Sequence, residues 1–159
     1  MIFVTVGTQL AFDRLITAVD KWSENNSTVK VFAQVGPTAS PPIHIEFSEF
    51  VSPAKADQLF MESSLIVSHA GMGSILTALK YKKPILIMPR RASLGEQRND
   101  HQLATAKWLE NIPGISVAWN ESEIESFLYN RDTLIGGVGI SEFASPDLIK
   151  HLKAYINSS

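Results

Sequence analysis

The chain has 159 residues, of which 45% are hydrophobic, and this is enough material for the core of one globular domain over residues 1–159. Its formal net charge of −2 gives no bulk attraction to nucleic acid or to an anionic membrane, and the absence of cysteine excludes disulfides and thiolate metal sites. No apolar run approaches the ~20 residues of a membrane span, so we expect a cytoplasmic protein without a nucleic-acid partner.

Short apolar runs, several of them rich in β-branched residues, predict buried strands at residues 2–6, 29–35, 43–47, 65–68, 85–88 and 115–119. Helical patterns predict helices over residues 12–22, 52–63 and 75–79, and others that begin near residues 99–102, 120–123 and 145–147. The segment between the second and third strands has no clear helix. Residues 133–145 carry three glycines and are predicted to form a mobile loop.

Strands that alternate with helices predict an α/β fold, a Rossmann-like parallel sheet in the order 3-2-1-4-5-6 with helices on both faces. Ligands of such sheets bind at the carboxyl ends of the strands, at the switch point between strands one and four. Two glycine turns, at residues 7–9 and 70–74, should emerge there together. Glycine lets the backbone approach a ligand, and the helix that follows the second turn offers unpaired N–H groups to an anion. The pattern therefore predicts a phosphate site.

The exact residues of these segments are more informative than the geometry that they predict. The sequence reads FVTVGTQ at residues 3–9, SHAGMGS at residues 68–74, KPILIMP at residues 83–89 and NDHQ at residues 99–102. In order and spacing it closely resembles the nucleotide-sugar-binding, C-terminal half of GT-B glycosyltransferases, in particular the C-terminal domain of glycosyltransferase family 28. It is similar to the short PssE-like proteins of bacterial exopolysaccharide synthesis, which are relatives of the catalytic subunit of the eukaryotic transferase that adds the second GlcNAc to the dolichol carrier.

This resemblance implies a UDP-sugar-dependent hexosyltransferase that transfers a hexose or hexuronic acid, with inversion, to a lipid-linked acceptor. It implies no cofactor and no catalytic metal, because the UDP-sugar is a substrate. The general base is expected from a separate membrane-anchored, PssD-like subunit, which would recruit the chain to the inner face of the cell membrane. A homo-oligomer is left open. The alternative is a non-catalytic nucleotide-sugar-binding or regulatory module.

The donor is expected to contact residues of both glycine turns and of the fourth predicted helix. These residues are Gly7, Thr8, Gln9, Val51, His69, Gly71, Met72, Gly73, Ser74, Thr77, Asn99, Asp100, His101 and Gln102. The resemblance implies that Val51 holds the uracil edge through its backbone and that residues 100–102 contact the sugar hydroxyls. Thr77 departs from the wider family, which has a glutamate there to grip the ribose, and one hydroxyl cannot replace a carboxylate in that role.

Several of these residues have a second interpretation. His69 either orders the turn by hydrogen bonding or contacts and activates the donor. Ser74 and Asp100 either cap their helices or bind the donor. The basic residues Arg90, Arg91 and Arg98 either belong to a solvated loop or contact a diphosphate, from the donor or from a lipid-linked acceptor.

Overall fold

The computed structural model describes residues 1–38, 40–137 and 150. In this part of the chain the strands form one parallel sheet, and they are β1 (Ile2–Thr5), β2 (Val31–Gln34), β3 (Glu46–Ser48), β4 (Leu65–His69), β5 (Ile85–Met88) and β6 (Ile115–Val117). The helices are α1 (Asp13–Glu24), α2 (Pro53–Glu62), α3 (Met72–Lys80), α4 (His101–Leu109) and α5 (Glu121–Tyr129). The strand order β3-β2-β1-β4-β5-β6 confirms the prediction.

Alternate residues of each strand face opposite layers of helices. On β1, Val4 packs with the buried face of α1 and α5, whereas Phe3 packs with α2, α3 and α4. The ring of Phe3 meets that of Phe60 of α2 edge to face, with centroids 5.3 Å apart. Because the central strands β1, β4 and β5 are covered on both sides, their runs are apolar without alternation, as expected for a parallel sheet, whereas the edge strand β3 is largely exposed. Helices on both faces are confirmed.

The third strand was predicted too early. Strand β3 begins at Glu46, and Ile43 is 83% exposed instead of lying in the sheet. The carboxylate of Asp20, on α1, accepts hydrogen bonds from the backbone N–H of Ile43 at 3.1 Å and of His44 at 2.7 Å. These bonds hold the two residues in a turn, so pairing with β2 starts only beyond it. No helix lies between β2 and β3 among the described residues, as the sequence indicated.

Two other strands are shorter than predicted, because local turns capture their ends. Before β2, the N–H of Val29 donates to the carbonyl of Asn26 at 3.0 Å. After β6, the N–H of Trp119 donates to the carboxylate of Glu123 at 2.5 Å. Strand β2 therefore starts at Val31, not at residue 29, and β6 ends before residue 119.

Beyond α5 the chain crosses the amino edge of the sheet. A Cβ atom on Gly136 would lie 1.9 Å from the carbonyl oxygen of Lys82, and one on Gly114 would lie 2.5 Å from the nitrogen of Gly137. Residues 136 and 137 of the predicted loop are thus packed against the turns before β5 and β6. The rest of that loop and nearly all of the predicted last helix lie outside the described residues. None of the described helices is long and apolar enough to cross a bilayer.

The start of α2 follows the sequence signal for a capped helix. Ser52 is the N-cap, its hydroxyl accepts from the N–H of Lys55 at 3.1 Å, and Pro53 takes the first helical position. We expect Ser52→Ala to lower the free energy of unfolding by about 1 kcal/mol, because that N–H loses its acceptor. Urea denaturation measures this. Ser27→Ala, an exposed position on the amino side of β2, is the matched control and should change little.

Candidate active site

Two adjoining cavities open at the carboxyl edge of β1, β4 and β5. The inner cavity, about 290 Å³, lies between the two glycine turns and is lined by Gly7, Thr8, His69 and Ser74, among others. The outer cavity, about 870 Å³, continues toward α3 and α4. The residues that line both are Gln9, Leu10, Gly71, Met72, Gly73, Gln97 and Gln102. The predicted convergence of the two turns in one cleft is confirmed.

The register of the sheet brings the turns together. Thr5, at the end of β1, pairs with Ser68 of β4, so the chain leaves both strands at the same height. The first turn then bends at Gly7, whose φ of +78° favours glycine, and the second runs directly into α3. In a parallel sheet, two neighbouring strand ends of equal height place their loops side by side.

The ring of His69 fills the space between the turns. A Cβ atom on Gly71 would lie 2.2 Å from Cε1 of His69, and one on Gly7 would lie 3.0 Å from its Nε2. Both glycines are therefore required by the imidazole, and Gly7 is required by its positive φ as well. Sequence reasoning missed this role, because it treated each glycine as a matter of turn geometry or of ligand approach.

The imidazole of His69 is neutral. Burial, together with the positive charge of Arg90, lowers the pKa of His69 from its ordinary 6.5 to about 3. The side-chain nitrogen of Gln102 lies 3.2 Å from Nδ1 of the ring. The opposite oxygen of the same amide accepts from the backbone N–H of Ala70 at 3.2 Å and of Arg90 at 3.1 Å. His69 thus does order the turn through a hydrogen bond, and its ring still lines the cleft.

Arg90 is a buried clamp on the first turn. Its side chain is 2% exposed, and its guanidinium carbon lies 4.8 Å from the ring centre of Phe12. Burial lowers the pKa of Arg90 to about 10, so it stays charged at neutral pH. Its terminal nitrogens donate, at 2.6 to 3.3 Å, to the carbonyls of Val6, Leu10, Ala11 and Glu96. Arg90 is thus not a solvated cation, and the sequence did not predict this clamp. Arg90 also lines the inner cavity, so its contact with a diphosphate stays a prediction.

The other two arginines differ from Arg90. Arg91 donates to the carbonyl of Trp119 at 2.9 Å. Arg98 is exposed and lines the outer cavity, and its contact with a diphosphate stays a prediction. Glu96, which the sequence did not single out, fixes this loop, since its carboxylate pairs with Arg14 of α1 at 2.9 Å.

The polar residues at the start of α4 do not all line a cavity. Asn99 and His101 line the outer cavity, and the side chain of Asn99 accepts from the N–H of His101 at 3.0 Å. Asp100 lines neither cavity and sits in the N-cap position without capping α4 through its side chain. Its carboxylate instead accepts from the N–H of Ala92 at 2.9 Å. The sugar contact of Asp100 stays a prediction, and its carboxylate binds the loop after β5 instead of capping α4.

The remaining predicted residues lie at the margins of the cleft. Val51 and Thr77 line neither cavity. Val51 packs against the core, and the hydroxyl of Thr77 donates back to the carbonyl of Gly73 at 2.7 Å. Ser74 lines the inner cavity but does not cap α3, whose cap position is Gly71. The prediction that Ser74 caps its helix is wrong, and the contact of Ser74 with the donor stays a prediction.

The electrostatics of the cleft suit an anion. No Asp or Glu is among the described residues that line the two cavities, while Arg98 and the amino end of α3 face them. The described part of the chain has no group of three or more His, Cys, Asp or Glu residues that could hold a metal ion. The cleft thus offers neutral donors and positive charge.

Comparison with known proteins assigns the family. The sequence model of the glycosyltransferase family 28 C-terminal domain matches residues 1–126, and the chain belongs to this family. No curated protein sequence matches the chain.

Solved structures share the fold. An NMR structure of ALG13 has a TM-score of 0.64 and 18% identity, over 95% of this chain and 94% of that one. Acinetobacter baumannii MurG has a TM-score of 0.56 and 19% identity, over 81% of this chain and 40% of that one. A UDP-glucose: anthocyanidin 3-O-glucosyltransferase in complex with UDP has a TM-score of 0.60 and 11% identity, over 99% and 35%. The chain therefore spans less than half of the two larger enzymes but nearly all of ALG13.

The lowered pKa of His69 predicts a dependence of stability on pH. The unfolded chain takes up a proton near pH 6.5 and the native ring does not, so this contribution to stability is complete above pH 6.5 and is lost as the pH falls toward 3. Between about pH 7.5 and about pH 5 the loss should be about 2 kcal/mol. Urea denaturation at both pH values should show this loss, and His69→Gln should remove it. Equal pH slopes in the two proteins would contradict it.

The buried hydrogen bonds of Arg90 predict that Arg90 contributes more to stability than Arg98 does. Arg90→Lys keeps the charge but offers one compact ammonium in place of a fork, so backbone carbonyls are left unpaired and the free energy of unfolding should fall by about 2 kcal/mol. Arg98→Lys, at an exposed position, should change it by less than about 0.5 kcal/mol. Chemical denaturation of the two variants decides it, and equal stabilities would rule out the clamp.

Proposed function

We propose that this chain is the donor-binding, catalytic subunit of a UDP-sugar-dependent hexosyltransferase. It transfers a hexose or hexuronic acid, with inversion, to a lipid-linked acceptor in exopolysaccharide or related glycan synthesis. The single observation that carries this is the inner cavity, in which two backbone turns and the imidazole of His69 meet at the switch point of a parallel sheet. Membership of family 28 supports the reaction class.

The cavity suits the diphosphate of the donor. The backbone N–H groups of Thr8, Gln9 and Leu10 donate to no acceptor in the described part of the chain, and the amino end of α3 stands opposite them. Groups held in place before reaction stabilise the charge that develops on a departing nucleoside diphosphate, without reorganisation during the step. The same groups bind the ground state less strongly than the transition state, which is what accelerates transfer.

The nucleotide and the acceptor are supported by separate observations. A structural relative is a UDP-glucose-dependent glucosyltransferase that was solved in complex with UDP, which supports UDP here. On the loop after β5, Arg98 is exposed and Leu94 is 57% exposed. An exposed cation and an exposed apolar side chain on the same loop suit the diphosphate and the lipid of a lipid-linked saccharide.

The general base would come from a membrane-anchored, PssD-like partner. No carboxylate of the described residues lines either cavity, and an imidazole whose pKa is about 3 cannot take a proton from a hydroxyl near neutral pH. The chain spans only 40% of MurG, which leaves room for a second subunit to supply the acceptor side. That partner would hold the chain at the inner face of the membrane.

A second candidate is a non-catalytic nucleotide-sugar-binding module. The lack of a carboxylate at the described cavity walls favours it, as does Thr77, whose hydroxyl bonds to its own helix. Such a module would bind UDP-sugars and transfer nothing with any partner.

Gly73→Ala tests the donor site without damaging the fold. Outside its own helical turn, a Cβ there has no atom of the described residues within 4 Å, and alanine favours a helix, so stability should be unchanged or slightly higher. The added methyl group would, however, stand in the wall of both cavities and should weaken UDP binding by roughly tenfold, about 1.4 kcal/mol. Isothermal titration calorimetry measures this, with Ser27→Ala as control. An unchanged affinity for UDP would show that the diphosphate does not bind next to Gly73.

Turnover with the partner decides between the two candidates. Transfer from a UDP-sugar to lipid extract should appear only when the chain and its membrane subunit are combined, and His101→Gln should retain it. If His101→Gln abolishes transfer while UDP still binds, the base belongs to this chain. Binding without transfer under every combination would establish the module.

A further inference from the structure

Gln102 lies on the first turn of α4 and is 9% exposed, with its side chain between the ends of β4 and β5. Its amide oxygen accepts from two backbone donors, the N–H of Ala70 at 3.2 Å and the N–H of Arg90 at 3.1 Å. Turning the amide over would set its NH₂ against both donors. The orientation of the side chain is therefore determined by the backbone on either side of it.

With the oxygen so placed, the NH₂ group of Gln102 faces Nδ1 of His69 at 3.2 Å. An amide NH₂ can only donate, so Nδ1 must accept. A neutral imidazole carries one proton, which then resides on Nε2. That nitrogen lies between the two glycine turns, 3.0 Å from where a Cβ of Gly7 would be and 2.5 Å from where a Cβ of Gly71 would be, and the ring lines the inner cavity.

We propose that Gln102 is a positioning residue that acts through His69: it holds the neutral imidazole as the Nε2–H tautomer, a fixed hydrogen-bond donor to an anion between the two glycine turns. This replaces the sugar contact that the sequence resemblance implies for Gln102. The identity of the anion as a nucleoside diphosphate rests on the proposed function. The tautomer of His69 does not depend on it.

The surroundings of the ring leave Gln102 as the residue that decides. Among the described residues the charged group acting on His69 is Arg90, and it disfavours a second proton on the ring. The two turns present glycines, Gly7 and Gly71, to the ring faces and add no titratable group there. A donor at Nδ1 is thus what selects one neutral tautomer over the other.

Glutamate at position 102 is the discriminating substitution. Gln102→Glu keeps the length and the oxygen that serves Ala70 and Arg90, but it replaces the donor facing His69 by an acceptor. Nδ1 must then carry the proton, so Nε2 becomes an acceptor or the ring becomes charged. Gln102→Met is the second variant, which removes the donor and adds no charge. Lys107→Gln, at an exposed position of α4, is the control.

The first measurement is the tautomer itself, by long-range ¹H–¹⁵N NMR of histidine-labelled protein without ligand, with the His69 signals assigned from His69→Gln. We expect the wild-type ring to show Nε2 protonated and Nδ1 bare between about pH 5 and about pH 8, and Gln102→Glu to show Nδ1 protonated. A wild-type ring with Nδ1–H overturns the proposal without any variant. An unchanged tautomer in a folded Gln102→Glu overturns it as well.

The second measurement compares UDP with UDP-glucose by calorimetry. A positioning role lowers the affinity for both ligands by the same factor, roughly tenfold, in Gln102→Glu and Gln102→Met, and leaves Lys107→Gln unchanged. Loss for UDP-glucose with UDP unchanged means direct sugar contact and overturns the proposal. If the wild-type chain binds neither ligand, the proposed function fails, and the NMR result alone decides the role of Gln102.

Discussion

The candidate site depends on one imidazole ring that separates two backbone turns. His69 occupies the volume that side chains at positions 7 and 71 would need, so the turns approach each other to the width of a ring and no closer. The equal height of the ends of β1 and β4 sets the level at which they meet. The inner cavity lies between the two turns and is lined by the ring. A site made in this way can receive an anion through N–H groups without bringing a carboxylate near it.

Buried polar side chains hold this arrangement in place. Arg90 draws the carbonyls of the first turn toward the end of β5, and Gln102 joins the ends of β4 and β5 to the ring. Burying a guanidinium is costly unless its donors are used, and both terminal nitrogens are used here. This energetic cost is one reason to expect a rigid cleft, because a turn that loosened would leave the buried charge of Arg90 without hydrogen-bond acceptors. Rigid donors are also what electrostatic stabilisation of a leaving group requires.

The two cavities differ in size and in the residues that line them. The inner cavity has the neutral and positive surroundings of a diphosphate site, whereas the outer one is wider and carries Arg98, Asn99 and His101 on one wall. The fold covers nearly all of ALG13 but less than half of MurG. Residues 136 and 137 pack against the turns before β5 and β6, at the edge of the sheet away from the cleft.

The sequence by itself determined the strand order, the two layers of helices, the capped start of α2 and the meeting of the glycine turns. These follow from periodicity, chain direction and local capping, which act over a few residues or through the handedness of crossovers. It did not determine where β3 begins, which N–H group the carboxylate of Asp100 binds, or that Arg90 and Gln102 face inward. Asp20 reaches residue 43, and Arg90 reaches residues 6 to 11, across distances in the chain that no local pattern records. Such partners are chosen by whichever polar groups packing brings together and deprives of water, and only the tertiary structure decides that.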